Sequence, residues 1–260
     1  MPTTPSAGSV SLRSKAVACR PFQKPASWKL RRLVARRPAA TNTIKTPVQR
    51  KKTRKFSLTL PTAKATPIAV AVMSPSTAPS GAPRRLFDEV DAKFGQLDIL
   101  VNTVGKVVKK PFVEISEEDF DQSFAINAKQ AFFCMQAAAK RIADNGRIIN
   151  ISTTLVAATT GLYSVYAGSK APLDHFTRAL AKEIGARGVT VNTVAPGPLN
   201  TSFFYPVETA DSKAFLSGMS PQNRLGEVDE ITPVIEFLVG PGGSWVTAQT
   251  LFVNGGFIAR

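Results

Sequence analysis

The first 87 residues contain no aspartate and no glutamate; the first acid is Asp88. They hold only two glycines, Gly8 and Gly81, which leaves no room for a glycine-rich phosphate loop in that stretch. Two cysteines, Cys19 and Cys134, supply neither metal-ligand spacing nor a disulfide framework, which fits a reducing compartment. A single histidine, His175, rules out a histidine-cluster metal site, and no metal is expected. No apolar run approaches the roughly 20 residues that span a bilayer. The early apolar stretch 68–73 is too short and too late to be a secretory signal, so no membrane association is expected. These absences point to a cytoplasmic protein, or to an organellar one if the arginine- and serine-rich start is a transit peptide.

The charge that is present is unevenly placed. Of 33 Lys and Arg, 18 fall in residues 1–87, while the remaining 15 face all 18 acids, so residues 88–260 sum to −3 against +15 for the whole chain. Nucleic-acid binding is therefore argued only by the N-terminal third, where the charge is scattered and lacks interleaved aromatics. Residues 1–84 show no sustained apolar period and read as a basic, disordered segment, with 67–73 as the only strand-like run. From residue 85 the texture changes. Leu86, Val90 and Phe94 are spaced as a helix face ending at Gly95, and an apolar run over 97–102 suits a parallel strand covered on both faces. Ser116 and the acids after it open a helix expected to reach about residue 143. Strands are expected at 147–152, 189–194 and 249–253, with helices at 163–186 and 231–239. Strands alternating with helices imply an α/β fold with a parallel, doubly wound sheet.

The sharpest chemical signal is Tyr166 followed four residues later by Lys170, one turn apart on one helix face. A free phenol titrates near 10, and a neighbouring ammonium is expected to pull that value toward neutrality. Such a phenol can protonate a carbonyl oxygen or deprotonate an alcohol. Thirteen residues before Tyr166 stands the Thr153 hydroxyl, with Ser152 beside it. Asn127 places an amide in an apolar helical stretch, where it needs a buried partner. Tyr163 has no matching lysine and reads as a pocket wall. His175 has no nucleophile motif near it and reads as a surface or core residue.

Together with the segments Ile99 to Gly105, Gly146 to Ser152, Val194 to Gly197 and Val253 to Gly256, these residues resemble the classical short-chain dehydrogenase/reductase family across 85–260. The resemblance implies a Rossmann-like domain at 85–260, lacking its first βαβ half. It also implies an NAD- or NADP-dependent oxidoreductase, reducing a ketone or oxidising a secondary alcohol in the manner of 3-oxoacyl reductases. It assigns Tyr166 as the acid/base, Lys170 as the group lowering its pKa and holding the nicotinamide ribose, and Asn127 as the holder of a relay water. Thr153 would orient the substrate carbonyl, with Ser152 on the opposite face. Asn102 and Gly105 would line the adenosine ribose, and Pro196, Gly197, Leu199 and Thr201 would flank the carboxamide. Tyr163 would wall the substrate pocket, and Phe203, Phe204 and Tyr205 would fall in its lid. A homo-oligomer, dimer or tetramer, is implied as well. Two departures are Thr103-Val104 in place of the usual Asn-Ala and Pro172 just after Lys170, which is expected to bend the helix.

Three readings fit residues 1–84. They can be a transit peptide, a basic arm for an acidic surface, or the nucleotide-binding half read in a shifted frame. Ordinary composition over this length would supply roughly ten acids, and the shifted frame accounts best for right length with wrong residues. The rival to an enzyme is a non-enzymatic basic binding protein built on a degenerate dehydrogenase half. On either reading, 97–102 is expected to be a sheet edge with apolar side chains on both faces, inviting aggregation.

Overall fold

The computed structural model describes residues 70–73, 82–158 and 160–259. Within them, five parallel strands form one sheet in sequential order: β1 (Val70–Met73), β2 (Leu97–Asn102), β3 (Ile142–Ile151), β4 (Thr190–Pro196) and β5 (Thr250–Val253). Helices α1 (Ala82–Phe94), α2 (Glu117–Phe124), α3 (Gln130–Ala139), α4 (Ser164–Lys170), α5 (Pro172–Ile184), α6 (Ala210–Gly218) and α7 (Val228–Val239) connect them. Successive parallel strands need crossovers, and apart from α6 these helices supply them or cover the sheet faces. No described helix is long and apolar enough to cross a membrane.

The apolar composition of the strands follows from burial on both faces. On one face Leu97, Leu100, Ile148 and Val191 pack with Phe87, Val90, Cys134, Met135, Ala138 and Ala181 from α1, α3 and α5. On the other, Ile99, Val101, Ile149 and Val194 pack with Ile231, Ile235, Leu238 and Val239 of α7. β4 is buried along its whole length.

The strand at Leu97–Asn102 is not an edge. β1 pairs with it in parallel, Val70 opposite Ile99 through Met73 opposite Asn102. The acid-free segment thus contributes a strand, in the run that had strand-like character, and among the described residues the outermost strand on that side is this piece of four residues. Short edge strands are poorer templates for mispairing than long ones. The rest of 1–84, apart from residues 82–84 of α1, lies outside the described residues, including the transit, arm and frame readings placed on it.

Three elements differ most from expectation. The helix opened by Ser116 does begin with a reciprocal cap, Ser116 Oγ accepting from Asp119 N at 3.1 Å and Asp119 Oδ2 from Ser116 N at 3.3 Å. It then passes through a π-helical turn at Ala125–Lys129 and stops at Ala139, short of residue 143. β3 starts five residues earlier than the apolar run, because Ile142 pairs with Leu97 before a register shift brings Arg147 opposite Ile99. The expected helix at 163–186 divides at Ala171, where Pro172 cannot donate a backbone hydrogen bond and begins α5 instead.

Candidate active site

The carboxyl ends of β2, β3 and β4, the start of α4 and the segment after β4 enclose a cavity of about 590 Å³. Crevices at this end of a parallel sheet are where doubly wound folds bind ligands, and the volume is within the ordinary range for small-molecule sites, about 300–1,000 Å³. Its wall brings together Thr153, Tyr163, Tyr166, Lys170, Gly105, Pro196, Gly197, Leu199, Thr201, Phe203 and Phe204. These eleven positions come from four separate stretches of sequence. Asn102 and Asn127 lie outside the lining, and His175 is exposed on α5.

Tyr166 and Lys170 are 7% and 2% exposed, both on the face of α4 turned inward. The Thr153 hydroxyl is hydrogen-bonded to the Tyr166 phenol. Ser152, although it also borders the cavity, has a buried Oγ without a hydrogen-bond partner. Lys170 Nζ donates to the carbonyls of Val104 at 2.7 Å and Ile151 at 2.9 Å, which anchors it between the ends of β2 and β3. Gly105 is needed at that approach, since a Cβ there would stand 3.2 Å from Lys170 Nζ.

The electrostatics depart from expectation. Burial pushes the Tyr166 phenol up to about 12, with the Thr153 bond acting in the lowering direction. Burial also pulls Lys170 down to about 7. The physical reason is desolvation of both groups, which penalises phenolate and ammonium alike.

Asn127, in the π turn, works as a brace. Its Oδ1 accepts from Lys106 N at 2.8 Å, and its Nδ2 donates to Lys106 O at 2.9 Å and to Ser169 Oγ at 2.9 Å. It thereby ties the loop after β2 to α4. Asn102, expected at the adenosine ribose, is 2% exposed, and its Nδ2 donates to Asn150 Oδ1 at 3.4 Å within the core.

Among the lining residues that sequence reasoning missed are Glu208, Leu216 and Phe257. Phe257 directly follows the Val253 to Gly256 motif, whose turn folds it over the cavity. Glu208 is the first acid after the aromatic run 203–205, the one signal that could have marked it.

A protein-family model described as enoyl-(acyl carrier protein) reductase matches residues 51–258, beginning upstream of residue 85. A short-chain type dehydrogenase/reductase of Picea abies is 40% identical over 176 residues, 66% of this chain and 65% of that protein. An NADPH-dependent aldehyde reductase-like chloroplastic protein of Arabidopsis thaliana is 36% identical over 197 residues, 74% of this chain and 73% of that one. Among solved structures, a dehydrogenase from Burkholderia cenocepacia with bound NADP superposes with a TM-score of 0.67 at 43% identity, over 70% of each chain. The chain belongs to the short-chain dehydrogenase/reductase family, and it spans about two thirds of the length of the spruce relative it matches.

Proposed function

We propose that this protein is a nicotinamide-dependent carbonyl reductase, interconverting a ketone and a secondary alcohol, with Tyr166 as the proton-transferring group. The observation that carries this reading is the convergence of Tyr166, Thr153 and Lys170 on one wall of the cavity. Thr153 hydrogen-bonds the phenol, so an oxygen seated between the two hydroxyls would be oriented by one and protonated by the other. The family model's description names enoyl reduction, but two hydroxyls converging on one point suit a carbonyl oxygen that gains a proton.

The residues present fit the nicotinamide end of a cofactor. Gly105 keeps the approach to Lys170 open, and Pro196, Gly197, Leu199 and Thr201 offer a wall for the ring and its carboxamide. A bound nicotinamide would supply or accept the hydride. Lys170 would hold the ribose hydroxyls and Tyr166 would move the proton at the substrate oxygen. No glycine-rich turn for the pyrophosphate occurs among the described residues. Relatives whose names state a cofactor specify NADP or NADPH, which makes NADPH the first cofactor to try.

The test is oxidation of millimolar NADPH, followed at 340 nm, on addition of aryl and alkyl ketones. Ketone-dependent oxidation is expected in the wild type and absent in Tyr166→Phe. The rival, a basic binding protein, is supported instead if a polyanion such as heparin binds while NADPH and ketones leave the protein unchanged.

A further inference from the structure

Glu208 stands just before α6, in the segment that covers the cavity, with its side chain 1% exposed. Three stretches of chain meet on its carboxylate. Oε2 accepts from Lys109 Nζ at 2.6 Å and from Ser212 Oγ at 2.6 Å, and Oε1 accepts from the Tyr163 hydroxyl. Burial works to raise the Glu208 carboxyl, but the bonds from Lys109, Ser212 and Tyr163 prevail and hold it below its ordinary value. The Tyr163 phenol is driven upward by burial and then by the carboxylate it faces. Glu208 is thus ionised, and the phenol's proton is committed to it.

Glu208 and Tyr163 line the same cavity as Tyr166 and Thr153, whereas Lys109 and Ser212 are not among its lining residues. Tyr163 precedes Tyr166 by three residues at the start of α4, so the two phenols project on the same side. With its proton spent on Glu208, the Tyr163 oxygen offers the cavity only lone pairs, as does the carboxylate. A wall that presents acceptors alone favours a ligand group that donates, and disfavours ethers and carboxylates that cannot. Around it Phe203, Phe204, Leu216 and Phe257 are apolar.

We propose that Glu208 and Tyr163 form a second polar subsite, one that receives a hydroxyl carried by the carbonyl substrate at a distance from its reacting oxygen. The substrate class is then a neutral hydroxylated ketone, aromatic or otherwise apolar over the rest of its surface. The inference rests on the carbonyl-reductase reading of the cavity and adds a selectivity that the reading does not itself require.

The experiment is calorimetric binding of matched probes to the full chain: 3′- and 4′-hydroxyacetophenone, their methoxy ethers, and the corresponding acetylbenzoates. At least one hydroxy isomer should bind about tenfold or more tightly than its ether and its carboxylate, the scale of a hydrogen bond to a charged acceptor. Glu208→Gln and Tyr163→Phe should each bring the hydroxy-to-methoxy ratio to within about threefold, the former because the amide adds a donor to the wall. Thermal melts check that both variants fold; if Glu208→Gln does not, the wild-type ratios and Tyr163→Phe decide. Equal binding of hydroxy and methoxy probes to the wild type overturns the subsite, as does a preference that survives in every folded variant. Failure of all the probes to bind overturns both the subsite and the reading beneath it.

Discussion

A phenol whose role is to move a proton can be replaced in shape but not in kind. Tyr166→Phe is expected to lower turnover by about 10²–10⁴-fold, the contribution of a positioned acid or base, with cofactor binding retained in a nucleotide titration. At Thr153 the discriminating pair is Thr153→Ser, which keeps the donor and should retain activity, and Thr153→Val, which keeps the shape and should be severely impaired. Damage from Ser152→Ala in place of Thr153→Val would move the role to the neighbouring hydroxyl. Lys170 makes a different prediction, about stability. Its folded value of about 7 lies below the unfolded value near 10.4. Between those values the unfolded chain binds a proton that the folded chain does not, so stability rises with pH across that window and levels off below about 7. Cofactor-free wild type should therefore gain stability relative to Lys170→Met as pH rises from 7 to 9, by at most about 1.4 kcal/mol per pH unit. Parallel pH profiles of the denaturation midpoint for the two proteins would show that Lys170 stays charged when buried.

At the scale of elements, what the sequence made legible is what short-range pattern controls. The strand at Leu97–Asn102 and the inward face of α4 follow from apolar runs and a four-residue spacing, so both could be read before any coordinates. The break at Pro172 followed from its missing donor. The π turn did not, because one inserted residue hardly disturbs a helical period, yet it is this turn that carries Asn127. The partnership of Glu208 with Lys109 and Tyr163 joins positions 99 and 45 residues apart, and no local pattern announces it. Nor did the sequence show that β1 would pair with β2, since a four-residue strand takes its place from its neighbour's ladder. The brace at Asn127 gives a prediction of its own. Asn127→Leu fills similar space but leaves the Lys106 N–H and C=O without partners and takes from the Ser169 hydroxyl the donor it accepts from, while that hydroxyl still donates to Tyr166 O. Each buried orphan costs about 1–3 kcal/mol, so a stability loss of at least about 2 kcal/mol is expected in urea denaturation. Activity should fall with it, because the loop carrying Gly105 is then tied to α4 only through the Lys170 bond to Val104 O. A variant within about 0.5 kcal/mol of wild type would show that water replaces the brace at little cost.

For the molecule as a whole, the proposed reading would give the two ends of a dinucleotide very different surroundings. On the proposed reading the nicotinamide end would face Lys170, Gly105 and the wall from Pro196 to Thr201. For the diphosphate, the described residues provide no glycine-rich turn, and Asn102, the residue expected at the adenosine ribose, spends its amide on Asn150 in the core. A dinucleotide held through one end leaves the diphosphate in water. Relative to a micromolar complex, about −8.2 kcal/mol, losing two charge-assisted bonds at about 1.5–3 kcal/mol each removes roughly 3–6 kcal/mol. The expected Kd of this chain for NADPH is accordingly on the order of 1 mM. The same reasoning says that reduced nicotinamide mononucleotide, which lacks the adenosine half altogether, should bind within about threefold of NADPH, because the missing half makes few contacts to lose. Fluorescence titration of both nucleotides against the full chain measures the two constants directly. Micromolar binding of NADPH, or a preference of more than about tenfold over the mononucleotide, would mean that residues 1–69 or 74–81 supply a phosphate site that no glycine pattern in the sequence marks.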